Sequence, residues 1–384
     1  MTIHRSLFDD MKRTDASSRH PNELFFAYLN RSADPKAVEI RGRLESWFER
    51  FPVEARDDVR GRFRQDDDHA HRGATFELLI HELLIRLHCT VEVHPKISGK
   101  NSRPDFLARH GDRVFYVEAT VIDSKENPLE EDVLAKINSL TSPHFYISAK
   151  VDGKLSSALS WEQVTKPFSS LLVAHNPDEV KRLIDEGGLR AAPSRKIECG
   201  TWSLQGWLVP ISPGKRGIRS SRTLIIGPAR NDMVDWPTSV QHAVRKKAGK
   251  YGALGAPLVV AANVRDPFFD KESAMEALFG KEQITYVEER PDLPTKLGRK
   301  PDGVWIQGGY QPRYTRLDAV WMFSNVVPWN LCSMSNCLYV NPFARDMKLP
   351  DVLYRLPHAR AHEYEIRWSE GENIGQMFGI GEDG

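Results

Sequence analysis

Three acidic residues, Glu77, Asp105 and Glu118, have the types and order that a metal site could use. Glu118 lies in the run Val114 to Val121, whose aromatic and β-branched residues predict a strand. Alternation places apolar side chains on both faces of this strand, so we expect it to be buried on both sides. A buried carboxylate needs a partner, and a divalent metal ion would serve. The sequence therefore predicts a metal site around Glu118.

A hairpin is expected to bring Asp105 beside Glu118. Val91 to Ile97 alternates as one strand, Arg103 to Ala108 has the pattern of the next, and Gly111-Asp112 provides the turn into the strand of Glu118. Two neighbouring carboxylates repel each other and raise each other's pKa unless a cation such as Mg²⁺ lies between them. The pair therefore indicates a divalent cation.

The helix before these strands carries Glu77. This residue lies at the edge of an apolar face, so its side chain can lean toward the sheet that the helix covers. It could supply a third carboxylate or bind a metal-bound water. An acidic run at Asp66 to Asp68 complements the macrodipole at the start of the same helix. The apolar face has helical spacing and consists of Phe76, Leu79, Ile80, Leu83, Leu84 and Leu87.

This order of residues resembles the PD-(D/E)xK nuclease superfamily. The matching parts are the helix residue Glu77, the segment Arg103-Pro104-Asp105-Phe106, and the strand segment Tyr116-Val117-Glu118-Ala119-Thr120. The resemblance implies an α/β fold with a restriction-endonuclease-like mixed β-sheet flanked by helices. It also implies metal-dependent cleavage of phosphodiester bonds, in DNA more often than in RNA, with Mg²⁺ or Mn²⁺ as the cofactor.

Site residues follow from the same resemblance, position by position. Asp105 and Glu118 would be metal ligands, the Ala119 carbonyl a further ligand, and Glu77 the auxiliary acid. Thr120 departs from the pattern, because the superfamily has a lysine at this position and threonine cannot orient or deprotonate an attacking water in the same way.

A lysine from a following helix could replace the missing one, as in some members of the superfamily. The segment Gln241 to Leu254 predicts such a helix, and Lys247 lies beside its inward face. The spacing of Lys247 and Tyr251 also resembles the Gln-x-x-x-Tyr helix of RecB-type nucleases. We therefore assign Lys247 a catalytic role, keep Lys250 as the reserve, and expect Lys246 to point to solvent.

Nucleic acid is the expected partner, DNA before RNA. The net charge of +1 argues against wholesale electrostatic capture, but local basic patches could contact phosphates. We expect such contacts from residues just before the site and on the lysine-rich helix, although ordinary solvated charge is the alternative for a lysine-rich helix. These residues are Lys96, Lys100, Arg103, Lys250 and Tyr251.

The 384 residues, 40% hydrophobic and 27% charged, are typical of a soluble globular protein. The 4 cysteines have no zinc-site spacing, which favours a reduced, cytoplasmic setting. Nothing in the sequence predicts a membrane partner, whereas a homodimer or a partner protein is compatible with it. The pattern of a phosphate-cradling ATPase loop is missing from the sequence.

We divide the chain into an N-terminal helical segment at 1–60, a nuclease-like core at 61–122 and 237–270, a large α+β insertion at 123–236, and a C-terminal α+β extension at 271–384. Such insertions often carry substrate or partner contacts. Within this one, a strand, a helix and a strand are predicted at His144 to Val151, Pro177 to Glu186 and Trp202 to Pro210.

The leading hypothesis is a metal-dependent nuclease, and a role in host defence or restriction follows by analogy with stand-alone members of the superfamily. The alternative keeps the fold without the chemistry. In that case the chain is a nucleic-acid-binding or partner-binding module, and the acids only stabilise its core.

Overall fold

The described chain begins with four helices, continues with strands and further helices, and divides into two units. The structure is a computed structural model, and it describes residues 6–17, 19, 23–123, 128–216, 223–230, 236–266, 269–285, 296–307, 311–331, 335–345, 348–362 and 365–380. The larger unit comprises Met1–Ala16, Leu24–Ser124 and Asp235–Gly384. The smaller unit comprises Ser17–Glu23 and Lys125–Val234.

Both units contain α-helices and β-strands. In the described ranges, the α-helices are α1 Phe25–Arg31, α2 Pro35–Arg50, α3 Val53–Phe63, α4 Asp68–Arg86, α5 Pro128–Asn138, α6 Trp161–Val173, α7 Pro177–Gly187, α8 Trp236–Ala248, α9 Lys271–Phe279 and α10 Ile374–Phe378. The strands are β1 Thr90–Val93, β2 Phe106–His110, β3 Arg113–Ile122, β4 Phe145–Asp152, β5 Ser194–Cys199, β6 Trp202–Pro210, β7 Leu224–Arg230, β8 Leu258–Val264, β9 Glu282–Thr285, β10 Lys296–Arg299, β11 Ile306–Gln307, β12 Gln311–Pro312, β13 Ala319–Ser324, β14 Asn336–Val340, β15 His358–His362 and β16 Glu365–Ser369.

The larger unit is built around an 8-stranded sheet with the strand order β1-β2-β3-β8-β13-β14-β15-β16. The central strands β3, β8 and β13 run parallel to one another. On one side β1, β2 and β3 pair antiparallel, and on the other β13 and β14 do the same. The sheet is therefore mixed, and helices pack on it, which confirms the predicted α/β class with a mixed sheet flanked by helices.

The centre of this sheet is apolar on both faces. All residues of β8 are buried, because β3 and β13 pair with its two edges and helices cover its faces. The strands β13 to β16 come from the C-terminal part of the chain and form half of the sheet. The sequence analysis did not place them there, since pairing between strands so far apart in the chain leaves no local pattern.

Helix α4 begins at the predicted acidic run and packs on the sheet. Asp67 caps its N-terminus by accepting hydrogen bonds from His69 and Ala70. The predicted apolar residues of α4 are buried in one core with Phe115, Val117 and Ala119 of β3. These odd-numbered residues share one face of β3, so α4 covers that face.

Helix α8 packs against β3 and β8. Its side chains reach Glu118, which alternates with the residues under α4, so α8 lies on the opposite face of the sheet. The helix ends at Ala248, and the prediction that it continues to Leu254 is wrong. Gly249 follows the last helical residue, where glycine commonly ends a helix. Tyr251 is therefore in the turn that leads to β8.

The hairpin predicted before Glu118 is present, with its turn at Gly111 and Asp112. Gly111 has a φ of 59°, which glycine adopts without strain. Strand β1 is shorter than predicted and ends at Val93. The next residue, His94, has a left-handed φ of 48°, and Pro95 has no N–H to donate to a ladder.

The smaller unit contains a 4-stranded sheet with the order β5-β6-β4-β7. The strand predicted at Trp202 to Pro210 is confirmed, and the helix predicted at Pro177 to Glu186 is confirmed with one more residue, Gly187. Gly206 of β6 lies under α6, where an added Cβ would stand 2.6 Å from Phe168 and 2.8 Å from Ile147. The absence of a side chain at this position allows the helix to pack closely on the sheet.

No helix in the described part of the chain is both long and apolar enough to cross a membrane.

Candidate active site

Asp105 lies beside Glu118 at the point where β2 begins. The antiparallel register pairs Phe106 with Val117, so the residue before β2 comes next to Glu118. Asp105 Oδ2 accepts a hydrogen bond of 2.7 Å from the backbone N–H of Ala119. This bond fixes the carboxylate against the edge of β3.

The Ala119 carbonyl points to the same edge of β3 as the Asp105 carboxylate. In a strand, the N–H and C=O of one residue point to the same side, and successive residues alternate between the two sides. The Tyr116 N–H donates to the carbonyl of Pro257, so the even-numbered residues face β8. Ala119 faces the other side, where the ladder with β2 has ended at Val117. The carbonyl is therefore at an open edge, next to a carboxylate.

Glu118 is fully buried, and three side chains surround its carboxylate. The Lys247 ammonium lies 2.6 Å from Oε2, the Lys250 ammonium 3.7 Å from Oε1, and the Tyr251 hydroxyl donates to Oε1. Burial raises the pKa of Glu118, and the charge of Asp105 raises it further, whereas Lys247 and Tyr251 lower it. The net shift is upward, because the cost of burying the Glu118 charge exceeds the gain from its partners.

The Lys247 ammonium lies between the two acids. It is 2.6 Å from Glu118 Oε2 and 3.5 Å from Asp105 Oδ2. Burial alone would lower the pKa of Lys247, but the charges of both carboxylates outweigh it and raise the pKa. Lys247 is therefore held as a cation at the point where the two carboxylates would otherwise repel each other. Lys246 is exposed to solvent, as expected.

Tyr251 is 1% exposed and belongs to the interior of the site. Its hydroxyl lies within hydrogen-bond distance of Glu118 Oε1 and 2.6 Å from the carbonyl of Arg103. A phenol carries one proton and can donate to only one of the two at a time. Burial and the bond to Glu118 raise the pKa of Tyr251, so it remains a donor. Its contacts are thus with Glu118 and the backbone at Arg103, not with solvent.

Glu77 is paired with Arg62, a residue that the sequence analysis missed. The Arg62 guanidinium donates to both carboxylate oxygens of Glu77, at 2.7 Å each. Burial raises the pKa of Glu77, Arg62 opposes this, and the charge of Asp105 adds to it. Glu77 therefore lies within electrostatic range of Asp105, but both of its carboxylate oxygens accept hydrogen bonds from Arg62 of α3. No sequence signal singles out Arg62 among the arginines of that helix.

A cavity of about 160 Å³ opens between Glu77 and Lys247. It has room for several water molecules, each of which takes about 30 Å³ in the liquid. Thr120 lies on the same face of β3 as Glu118, two residues further along, and its side chain brings no cation to this space. The wall is formed by His69, Gly73, Phe76, Glu77, Ala119, Thr120, Val121 and Lys247.

The oxygen atoms at this edge fit a divalent cation of the Mg²⁺ or Mn²⁺ type. Asp105, Glu118 and the Ala119 carbonyl are hard oxygen donors, which both ions prefer. No group of three or more His, Cys, Asp or Glu side chains with the geometry of a metal site occurs in the described ranges. A cation at this edge would therefore rest on two carboxylates and a carbonyl, with water completing its coordination.

The expected nucleic-acid contacts other than Tyr251 lie at the surface of the larger unit. Lys96, Lys100 and Arg103 are exposed on the segment between β1 and β2, and Lys250 is exposed beside Glu118. Lys250 also lies over the ring of Tyr251, 5.1 Å from its centre. Of these exposed cations, Lys250 lies next to Glu118, and the backbone carbonyl of Arg103 accepts a hydrogen bond from Tyr251.

Comparisons with family models, with curated proteins and with solved structures found no match for this chain.

Proposed function

We propose that this chain is a metal-dependent nuclease of the PD-(D/E)xK type, which hydrolyses phosphodiester bonds in nucleic acid, DNA in preference to RNA. One observation carries the proposal. Asp105 and Glu118 share the Lys247 ammonium at the open edge of β3, and the Ala119 carbonyl faces the same edge. A buried glutamate of raised pKa that is paired with a lysine, next to a cavity, is typical of catalytic sites.

A divalent cation held by Asp105, Glu118 and the Ala119 carbonyl would polarise the phosphate and lower the pKa of a water molecule. Lys247 faces the cavity and is held protonated, so it can orient a water by hydrogen bonding and counter the negative charge that develops on the phosphate. Tyr251 holds the Glu118 carboxylate in one orientation. Arg62 holds Glu77 at the cavity wall, within electrostatic range of Asp105.

A second function, a binding module without catalysis, is favoured by a different observation. The acids already have partners within the protein, because Lys247 pairs with Asp105 and Glu118, and Ala119 donates to Asp105. A cluster that is satisfied in this way can stabilise the fold without a metal ion. The two functions differ in whether a divalent cation binds and whether a bond is broken.

Cleavage assays test the proposal directly. The wild-type protein would be incubated with plasmid, linear duplex, single-stranded DNA and RNA, each with Mg²⁺ or Mn²⁺ and with a chelator. We expect cleavage that requires the cation and falls on the order of 10²-fold or more in Asp105→Asn and in Glu118→Gln. Equal cleavage by the wild type and both variants would reject these residues as the catalytic acids.

A thermal unfolding titration tests the metal site without relying on activity. A cation that binds only the folded protein stabilises it, by about 2.7 kcal/mol at a concentration of 100 times the Kd. We expect Mg²⁺ or Mn²⁺ to raise the melting temperature of the wild type but not that of Asp105→Asn. Asp112→Asn, at the exposed turn between β2 and β3, is the matched control and should respond like the wild type. No rise in the wild type, together with no cleavage, would favour the binding module.

A further inference from the structure

The side chains of Lys100 and Arg316 lie close together at Gly252, the residue after Tyr251. A Cβ built on this glycine would stand 2.8 Å from Lys100 Nζ and 3.7 Å from Arg316 Nη1. The sum of these distances limits the separation of the two cations to about 6.5 Å. Both residues are exposed, and in the part of the chain that the structure describes neither forms an ion pair with a carboxylate. Like charges so close together repel unless an anion joins them.

Separate hydrogen bonds hold the backbone segments that carry the two cations. Lys100 belongs to the segment before β2, which Tyr251 ties to the site through the 2.6 Å hydrogen bond to the Arg103 carbonyl. Arg316 belongs to a turn before β13. The buried Asn341 side chain donates to the carbonyls on both sides of Arg316, at 2.7 Å to Leu317 and 3.3 Å to Tyr314. The backbone near each cation is thus held by hydrogen bonds before any ligand binds.

The two cations at Gly252 lie near the candidate active site in the chain and are linked to it through Lys250. Lys250 precedes Gly252 by two residues, and its ammonium lies 3.7 Å from Glu118 Oε1. Cations therefore extend from Lys247, between the acids, through Lys250 to the pair at Gly252. Because Gly252 has no side chain, the Lys100 ammonium can lie close to the backbone here, within reach of Arg316.

We propose that Lys100, Arg316 and Gly252 form a subsite for a backbone phosphate of the nucleic-acid substrate, a phosphate other than the one that is cleaved. This inference rests on the proposed function, which places the scissile phosphate at Asp105 and Glu118. It gives the C-terminal part of the chain a role in substrate binding through Arg316. The contact is made to the backbone, so it contributes affinity and register and carries no sequence preference.

Gly252→Asp is the decisive variant, since it adds a carboxylate beside the two cations and substitutes neither of them, although the Lys100 ammonium must shift to admit it. Its added atoms meet the flexible ends of Lys100 and Arg316, not the backbone. Gly252→Asn has the same size without the charge and is the matched control. Arg316→Ala removes one cation, and Lys246→Ala removes an exposed cation of α8 outside the subsite.

Binding would be measured by fluorescence anisotropy with a labelled 20-nucleotide DNA, as duplex and as single strand. Chelator prevents cleavage, and the NaCl concentration is varied. We expect Gly252→Asp to weaken binding at least 10-fold at low salt and Arg316→Ala to weaken it severalfold. The slope of log K against log salt should become shallower by about 1 for each phosphate that the protein no longer neutralises. Gly252→Asn and Lys246→Ala should remain within about 3-fold of the wild type, and circular dichroism would verify that each variant is folded.

The outcomes separate this inference from the proposed function. If Gly252→Asp and Arg316→Ala both bind DNA with the affinity and salt slope of the wild type, the proposed subsite is wrong, even if the protein cleaves DNA. An equal loss in Gly252→Asp and Gly252→Asn also overturns it, because the effect would then be steric. Charge-dependent loss of binding in a protein that cleaves nothing supports the subsite and rejects the nuclease.

Discussion

The Lys247 ammonium contacts Glu118 at 2.6 Å, although 129 residues separate them in the chain. The two residues reach each other because β3 and β8 are adjacent parallel strands, and α8, which leads into β8, covers the face of β3 that carries Glu118. A lysine on this helix can therefore occupy the space that a lysine at Thr120 would otherwise reach from the strand. This relationship allows direct tests by substitution.

Removal of the Lys247 charge should abolish most of the proposed activity. Lys247→Met keeps the length of the side chain and removes the ammonium. We expect a loss on the order of 10²- to 10³-fold in kcat, as for other groups that stabilise developing charge. Lys246→Met, next to it and exposed, is the control and should cleave like the wild type. Single-turnover cleavage of duplex DNA measures the effect, and equal rates for the two variants would exclude a catalytic role for Lys247.

A lysine introduced at position 120 of β3 should take over the role of Lys247 on α8. Thr120 lines the same cavity as Lys247 and lies on the same face of β3 as Glu118. In the Lys247→Met background, we expect Thr120→Lys to recover cleavage at least 10-fold. Thr120→Met in that background matches the size of lysine without the charge and should recover nothing. If both double variants behave alike, the two positions are not equivalent.

Local pattern was enough to predict the hairpin that aligns Asp105 with Glu118 and the apolar face of α4. Those features depend on residues close together in the chain, and alternation or helical spacing records them. The contact between Arg62 and Glu77 could not be predicted in this way, because it depends on how α3 packs against α4. The end of α8 was also missed. Its glycine at 249 stops the helix, and Tyr251 reaches Glu118 from a turn.

Arg62 should stabilise the fold through Glu77. The guanidinium bonds both oxygens of a largely buried carboxylate, so Arg62→Ala leaves that charge without its partner. We expect Arg62→Ala to lower the free energy of unfolding by about 2 kcal/mol. This is less than for a fully buried pair, because Arg62 is partly exposed. Urea denaturation measures this value.

Two further variants separate this pair from ordinary surface charge. Adding Glu77→Gln to Arg62→Ala should recover most of the missing stability, since no buried charge then remains. Asp58→Asn breaks the exposed ion pair of the same guanidinium and should cost less than about 1 kcal/mol. A loss that is the same with and without Glu77→Gln would show that Arg62 acts through packing.

Stability should depend on pH through Asp318, a buried residue outside the candidate active site. Burial raises its pKa from 3.8 to about 6, although Oδ2 accepts a 2.9 Å hydrogen bond from the Leu258 N–H. The folded protein therefore binds the proton more tightly than the unfolded chain, and the free energy of unfolding falls as the pH rises from about 4 to about 6.

Asp318→Asn keeps an oxygen acceptor and has no charge to bury. Relative to the wild type, it should become more stable with rising pH, by at most about 3 kcal/mol above pH 7. Urea denaturation at pH 4.5 and pH 7.5 measures the difference, with the exposed Asp112→Asn as the control. A difference between variant and wild type that is the same at both values of pH would mean that Asp318 is ionised in the folded protein at no cost.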